Sequence, residues 1–176
     1  MARIEILVSG FGGQGVVRVG QILGQAAVHE GLYATMLISH GTETRGGYVR
    51  SQVVISDEFI DSPVVEHPDY FCAFSEIAYA RFKGLCSRES LILHNPELVP
   101  QDPAVVAQHC AIPAEALALK FLGKEIFSNV IFLGTLSSKL TVLSQENLER
   151  ALAERLPARF FEENLQAFRL GRSHHC

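Results

Sequence analysis

The chain has 176 residues, of which 48% are apolar and 19% charged, with a formal net charge of −4. That length fits one domain with a full hydrophobic core. The acidic balance argues against a nucleic-acid surface, and the apolar runs fall far short of the ~20 residues that span a bilayer. No basic-apolar-small leader pattern opens the sequence, so a cytoplasmic protein with no membrane association is expected.

Ile4 to Ser9 reads as a first strand, and its near-continuous apolar character suits a central parallel strand. Gly10-Phe11-Gly12-Gly13-Gln14-Gly15 follows as a tight turn. From Val16 to Glu30 the apolar residues recur at helical spacing, and Gly31 stands where a helix terminates. Tyr33 to Ser39 is a second strand, residues 40–47 a second glycine loop, and Tyr48 to Ser56 a third strand with one exposed face. Tyr70 to Ser75 reads as a fourth strand, Glu76 to Phe82 as a short helix, and Ser90 to His94 as a fifth strand stopped by Asn95-Pro96. The three prolines within 96–103 mark a loop, Ala104 to Cys110 holds a short edge element, and a helix runs from Ala114 to Leu122.

Beyond Gly123 the pattern is helical. Asn129 to Leu140 forms an apolar helix in which Gly134, Ser137 and Ser138 allow close helix contact. Ser144 caps a helix over Gln145–Arg155, and Pro157 opens a last amphipathic helix carrying Phe160, Phe161, Leu165, Phe168 and Leu170. The expected fold is therefore α/β: a single domain of three layers over residues 1–176, with a mostly parallel central sheet, a Rossmann-like glycine-rich first turn, and a helical C-terminal part from about residue 125.

Cys72, Cys86, Cys110 and Cys176 show no metal-ligand spacing, so buried free thiols are expected, with neither disulfide, metal nor iron–sulfur cluster held by this chain alone. His174 and His175 lie at the chain end, where fraying is expected. No Ser-His-Asp, Cys-His or His-Glu-x-x-His arrangement is present, so no catalytic residue is assigned.

Two features point to a binding site. Gly10, Gly12 and Gly15 satisfy G-x-G-x-x-G between a strand and a helix, where free N–H groups and the helix dipole favour an anion. A dinucleotide site also requires an acid at the end of the second strand, where Ser39 and His40 stand instead. The glycines alone can serve a tight turn and close packing, and Gln14 can both donate and accept. In the second loop, Gly41-Thr42-Glu43-Thr44-Arg45-Gly46-Gly47 sets an acid and a base among glycines. Glu43 and Arg45 can pair to shape the loop, or Arg45 can offer a forked donor to a carboxylate or phosphate across an interface. His40 beside it is either a proton carrier or a neutral, hydrogen-bonded histidine. Both loops leave carboxyl ends of strands, where ligands of such sheets sit.

These residues together resemble the gamma subunit, or gamma domain, of the 2-oxoacid:ferredoxin oxidoreductases. The likeness runs through Ser9-Gly10-Phe11-Gly12-Gly13-Gln14-Gly15, then Gly20, Leu23, Ala26 and Ala27, then Gly41 to Gly47. It continues through Val53-Val54-Ile55-Ser56-Asp57-Glu58, Ile60, Pro63 and Pro68-Asp69, and more loosely through Ile112-Pro113-Ala114, Asn129 and Leu133-Gly134. Some family members carry Pro-Glu-Ala or Val-Glu-Val in place of Thr42-Glu43-Thr44.

The resemblance implies a subunit inactive by itself. Its complex decarboxylates a 2-oxoacid, with 2-oxoglutarate favoured, passes electrons to ferredoxin and delivers the acyl group to coenzyme A. Thiamine diphosphate, magnesium and iron–sulfur clusters are implied in alpha, beta or delta partner subunits, and this domain helps enclose the active site and coenzyme A region. The loop residues matched to the family are Gly12, Gly13, Gln14, Gly15, Glu43, Arg45, Gly46 and Gly47. The alternatives are a stand-alone Rossmann-type nucleotide module and a purely structural interaction domain. The high apolar content also suits a homodimer of the isolated chain.

Overall fold

A computed structural model describes residues 3–41 and 47–176. Six strands form one sheet in the order β2-β3-β1-β4-β5-β6. They span Ile4–Gly10 (β1), Tyr33–His40 (β2), Val49–Ser56 (β3), Tyr70–Ala73 (β4), Leu91–His94 (β5) and Gln108–Ala111 (β6). The helices are Val16–His29 (α1), Glu76–Phe82 (α2), Ala114–Leu122 (α3), Ser128–Ser137 (α4), Gln145–Arg155 (α5) and Phe161–Arg172 (α6). Parallel pairing joins β1 to β4, β4 to β5 and β5 to β6, while β3 runs antiparallel to both β1 and β2. Five strands thus share one direction and β3 opposes them, which agrees with the expected mostly parallel α/β sheet.

The central place of β1 follows from its sequence. Ile6, Leu7 and Val8 are buried, Ile6 and Val8 toward the α1 side and Leu7 toward the α2 side. The larger core lies on the first face, where α1 meets the C-terminal helices and Phe74, Phe132, Leu148 and Phe168 fill the space. The second face is covered by α2 and connecting segments, with Phe71, Tyr79, Phe82 and Ile92 at its centre.

One strand departs from expectation. β3 has no solvent-facing side, because α1 packs on one of its faces and the segment carrying Val65 on the other. Its polar residues are absorbed internally: Ser51 packs against Gly20 of α1, and Gln52 Oε1 accepts from the Val65 amide at 3.0 Å. The alternation of small and apolar side chains there reflects close helix approach on one face, not exposure.

Helix ends follow their local chemistry. Gly31 adopts φ 76° beyond α1, and the Leu32 amide returns to the Ala27 carbonyl at 2.9 Å. Ser144 Oγ accepts from the Asn147 amide, as expected of the cap, while its own N–H donates to Glu30 Oε1 at 2.6 Å. That bond ties the end of α1 to the start of α5, and the Ser144 hydroxyl, with weaker help from Asn147 and the Ser144 amide, holds the Glu30 carboxyl below its ordinary range. The α4–α6 contact is closer than an ordinary helix pair. A Cβ on Gly134 would stand 2.1 Å from the Phe168 carbonyl oxygen, and one on Gly171 would stand 2.0 Å from that of Ile131.

The cysteines correct the sequence expectation in part. Cys72 and Cys86 are free and buried, but Cys110 and Cys176 form a disulfide across 66 residues. Residues after α6 turn back onto β6, where a ring nitrogen of His174 donates to the Ala111 carbonyl at 2.9 Å. His174 is therefore anchored, not frayed. Spacing along the chain carries no trace of this long-range return.

Candidate functional site at the carboxyl edge

The register brings both glycine loops to one rim. Gly10, at the end of β1, and His40, at the end of β2, are each paired with Val49 at the start of β3. A cavity of about 330 Å³ opens there, walled by Phe11, Gly12, Gly13 and Gly15 from the first turn, by Val16, Val17 and Arg18 from α1, and by His40 and Val49.

The first turn is built tightly. The Gln14 amide donates to the Phe11 carbonyl at 3.2 Å, and Gln14 Oε1 accepts from the Phe11 amide at 2.6 Å. Gln14 Nε2 reaches the Phe74 carbonyl at 3.0 Å, just beyond β4. Gln14 thus both donates and accepts as its chemistry allows, but toward its own chain, which makes it the brace of the turn.

Each glycine of the turn answers a different need. Gly13 and Gly15 take φ 89° and 81°, where a side chain is strained. A Cβ on Gly15 would also stand 1.9 Å from Asn129 Nδ2 of α4, and one on Gly10 would meet Gln14 Oε1 and the Phe74 Cβ. Gly12 has neither constraint: its φ is not positive and a Cβ there would meet nothing within 4 Å. Its lack of a side chain leaves bare backbone at the cavity wall.

The cavity floor is electropositive. Among the described residues no side chain caps the N-terminus of α1, and its first turn holds no acid. The amides opening a helix lack intrahelical acceptors and carry its positive dipole end. Arg18 adds a cation one turn along; its guanidinium also donates to the Arg155 carbonyl at 3.1 Å. The arrangement suits a phosphate or carboxylate reached mainly by backbone N–H groups.

The structure brings Gly12, Gly13 and Gly15 into one wall, with Gln14 behind them. Gly47 lies just before β3 at the same rim. The Gly41 amide donates to the Tyr48 carbonyl at 2.8 Å, which joins the two ends of the second loop. Glu43, Arg45 and Gly46 lie outside the described residues. His40 is exposed at the cavity mouth. Two contributions to the site were not assigned from the sequence. Arg18 could have been found from its position three residues after Gly15, on the same side of α1; Asn129 was matched to the family, but it lies more than a hundred residues from the turn and nothing in the sequence placed it on Gly15.

The free cysteines are poor ligands for a cluster. Burial pushes the Cys72 thiol up to about 12 and the Cys86 thiol up to about 11, which disfavours the thiolate that iron–sulfur binding requires. Among the described residues no group of three or more His, Cys, Asp or Glu side chains is placed to hold a metal ion. No helix among them is long and apolar enough to cross a membrane.

Comparison with known proteins agrees with this architecture. The signature of the pyruvate ferredoxin/flavodoxin oxidoreductase family spans residues 5–174. A 2-oxoglutarate synthase subunit KorC of Methanocaldococcus jannaschii is 38% identical over 96% of this chain and 92% of its own length. The KorC of Methanothermobacter thermautotrophicus is 36% identical over 97% of this chain and 94% of its own. The keto/oxoacid ferredoxin oxidoreductase gamma subunit of Geobacter sulfurreducens superposes with a TM-score of 0.85 at 32% identity, covering 96% of this chain and 95% of that one. A 2-oxoglutarate:ferredoxin oxidoreductase chain of Magnetococcus marinus, solved with 2-oxoglutarate, coenzyme A and succinyl-CoA bound, also superposes at 0.85 with 25% identity, and 31% of its length corresponds to 98% of this chain. The chain belongs to the pyruvate ferredoxin/flavodoxin oxidoreductase family.

Proposed function

We propose that this chain is the gamma subunit of a multi-subunit 2-oxoacid:ferredoxin oxidoreductase, with 2-oxoglutarate as the 2-oxoacid of the complex. The substrate reading rests on its KorC relatives, 38% and 36% identical over nearly the full chain. Thiamine diphosphate, magnesium and iron–sulfur clusters belong to alpha, beta or delta partners, which also deliver electrons to ferredoxin. The role of this chain is to close the active-site and coenzyme A region with its carboxyl-edge cavity. There the backbone at Gly12 and Gly13, the open end of α1 and Arg45 receive an anionic group, either of coenzyme A or of a partner carboxylate. One observation carries the reading: Gly12 is bare at the cavity wall without any packing or backbone need for glycine.

A stand-alone dinucleotide module fits less well. The β1–α1–β2 crossover skips a place in the sheet, because β3 is inserted between β1 and β2. Ser39 and His40 end β2 in place of the ribose-binding acid.

The test is anoxic affinity purification of the chain from its own cells, with the recovered complex assayed for 2-oxoglutarate-dependent, coenzyme A-dependent ferredoxin reduction. Co-purification of thiamine- and cluster-binding subunits with that activity is expected. Arg45→Ala is expected to weaken acyl transfer or assembly; unchanged kinetics together with unchanged complex stability would defeat the proposed role of the loop.

A further inference from the structure

The two edges of the sheet are treated very differently. β6 is four residues long, and the returning chain end is bonded to it through Cys176 and His174. β2 is eight residues long and, among the described residues, is paired on one side only. Its register with β3 runs unbroken from Tyr33–Ser56 to His40–Val49, so no bulge twists the edge away. The strand contains no Lys, Arg, Asp, Glu or Pro. Natural sheets guard long edges with such devices, because a row of free N–H and C=O groups is a template for another strand.

The side chains around this edge are also those of an interface. Tyr33 is 53% exposed, Ile38 41% and Leu37 36%, and Phe59, stacked edge-on against Tyr33, is 81% exposed. A groove of about 220 Å³ runs between β2 and α1, lined by Gly20, Gly24, Val28 and Thr35 among others. On the opposite face of the strand, Thr35 Oγ1 is buried without a hydrogen-bond partner.

We infer that β2 pairs antiparallel with β2 of a second copy of this chain, joining two sheets into one of twelve strands. A two-fold axis normal to the sheet preserves its faces, so residues that meet must lie on the same face. Centred on Leu37, this sets Met36 against Ile38 and Thr35 against Ser39; centred on Met36, it sets Ala34 against Ile38 and Thr35 against Leu37. In either register apolar or small residues meet their like and no charged side chain is buried. That self-complementarity is what selects a second copy: an uncharged edge gives no attraction to a charged strand, and a two-fold pairing closes both edges at once. The two α1 grooves then lie on one side of the joined sheet.

The full chain is tested by size-exclusion chromatography with light scattering, alongside Leu37→Lys, Ile38→Lys and, as an off-interface control, Ile126→Lys. The wild type and the control are expected to be dimers. Each β2 variant is expected to dissociate at least about tenfold more readily, with an unchanged far-ultraviolet circular dichroism spectrum. Hydrogen exchange of the wild type, slowing over residues 33–40 as concentration rises, reports the same contact without any substitution. A monomer at every concentration, a dimer indifferent to both β2 variants, or open-ended oligomers would each overturn the inference. The outcome is separable from the subunit proposal: a monomeric Leu37→Lys chain that still enters the complex leaves that proposal intact, while a dimeric chain that joins no complex defeats that proposal alone.

Discussion

Asn129 of α4 lies directly on Gly15, so that a Cβ added to the glycine would stand 1.9 Å from Nδ2 and 2.9 Å from Cγ. The contact locks the glycine turn of the first strand to a helix from the C-terminal part. Gly15→Ala therefore meets two penalties, the clash and a residue held at φ 81°. A loss of about 2–4 kcal/mol in urea unfolding is expected. Asn129→Ala removes the clash but not the strain, so adding it to Gly15→Ala is expected to recover only part of the loss. A fully additive double-mutant cycle would show that the contact is not coupled.

Gly12 is expected to separate stability from function. Gly12→Ala adds a methyl to open space at a non-positive φ, so unfolding free energy is expected to stay within about 0.5 kcal/mol of wild type. The same methyl stands at the wall where an anion would approach the backbone. Activity of the assembled complex is therefore expected to fall, with the larger effect in Gly12→Val. Full activity in both variants would return the turn to a purely structural role.

Gln14 is the complementary case. Its side chain makes bonds to Phe11 and to Phe74, the latter 60 positions from Gln14, and so joins the ends of β1 and β4. Gln14→Ala leaves the Phe11 amide and Phe74 carbonyl without those partners, at an expected cost of about 1–3 kcal/mol. Hydrogen exchange at Phe11 is expected to rise more than at Val8 within the strand.

Much of this was legible from local chemistry. The apolar run of β1, the amphipathic α1 ended by Gly31, and the Ser144 cap of α5 are each decided by neighbours within a few residues, and the sequence expectation and the structure coincide there. What depended on distant partners was not legible. The packing of α1 on one face of β3 and of the Val65 segment on the other turns an alternating strand into a doubly covered one. Gly171 was passed over because only the approach of α4 gives its missing side chain a purpose. At the site, the glycines announced the turn, but the partners that hold it, Phe74 and Asn129, come from far along the chain.

The second sheet face carries a pH response. His94 Nδ1 donates to the Val99 carbonyl at 2.8 Å, which leaves Nε2 as a buried nitrogen without a partner. His109 Nδ1 donates to the Ala107 carbonyl at 3.1 Å, and its Nε2 accepts from the Tyr79 hydroxyl at 2.9 Å. Burial lowers the pKa of both, and the neighbouring His94 lowers that of His109 further. Groups with depressed folded-state values bind protons first in the unfolded chain. Their stability contribution is intact above the unfolded value of about 6.5 and is lost as pH falls from there toward the folded values. Unfolding free energy is expected to drop between about pH 7 and pH 5, and a His94→Phe/His109→Phe chain to show a flatter slope. An equal slope in both chains would assign the response to other groups.

The disulfide ties Cys110, fully buried in β6, to the last residue of the chain across 66 positions. In the chain-entropy account a link of that span removes freedom from the unfolded state worth about 4 kcal/mol. The native contact does not depend on the bond alone, since His174 is separately bonded to Ala111. Reduction is therefore expected to leave the sheet and the carboxyl-edge cavity intact while lowering the unfolding midpoint. Cys176→Ser is expected to reproduce the reduced protein's midpoint and to abolish any further effect of dithiothreitol. Neither free cysteine is placed to take over the pairing: Cys86 lies on the other sheet face from Cys110, and Cys72, on the same face, is separated from it by β5. If reduction and Cys176→Ser both leave the midpoint unchanged, the stabilisation comes from the packing of the returning chain end and not from the covalent link.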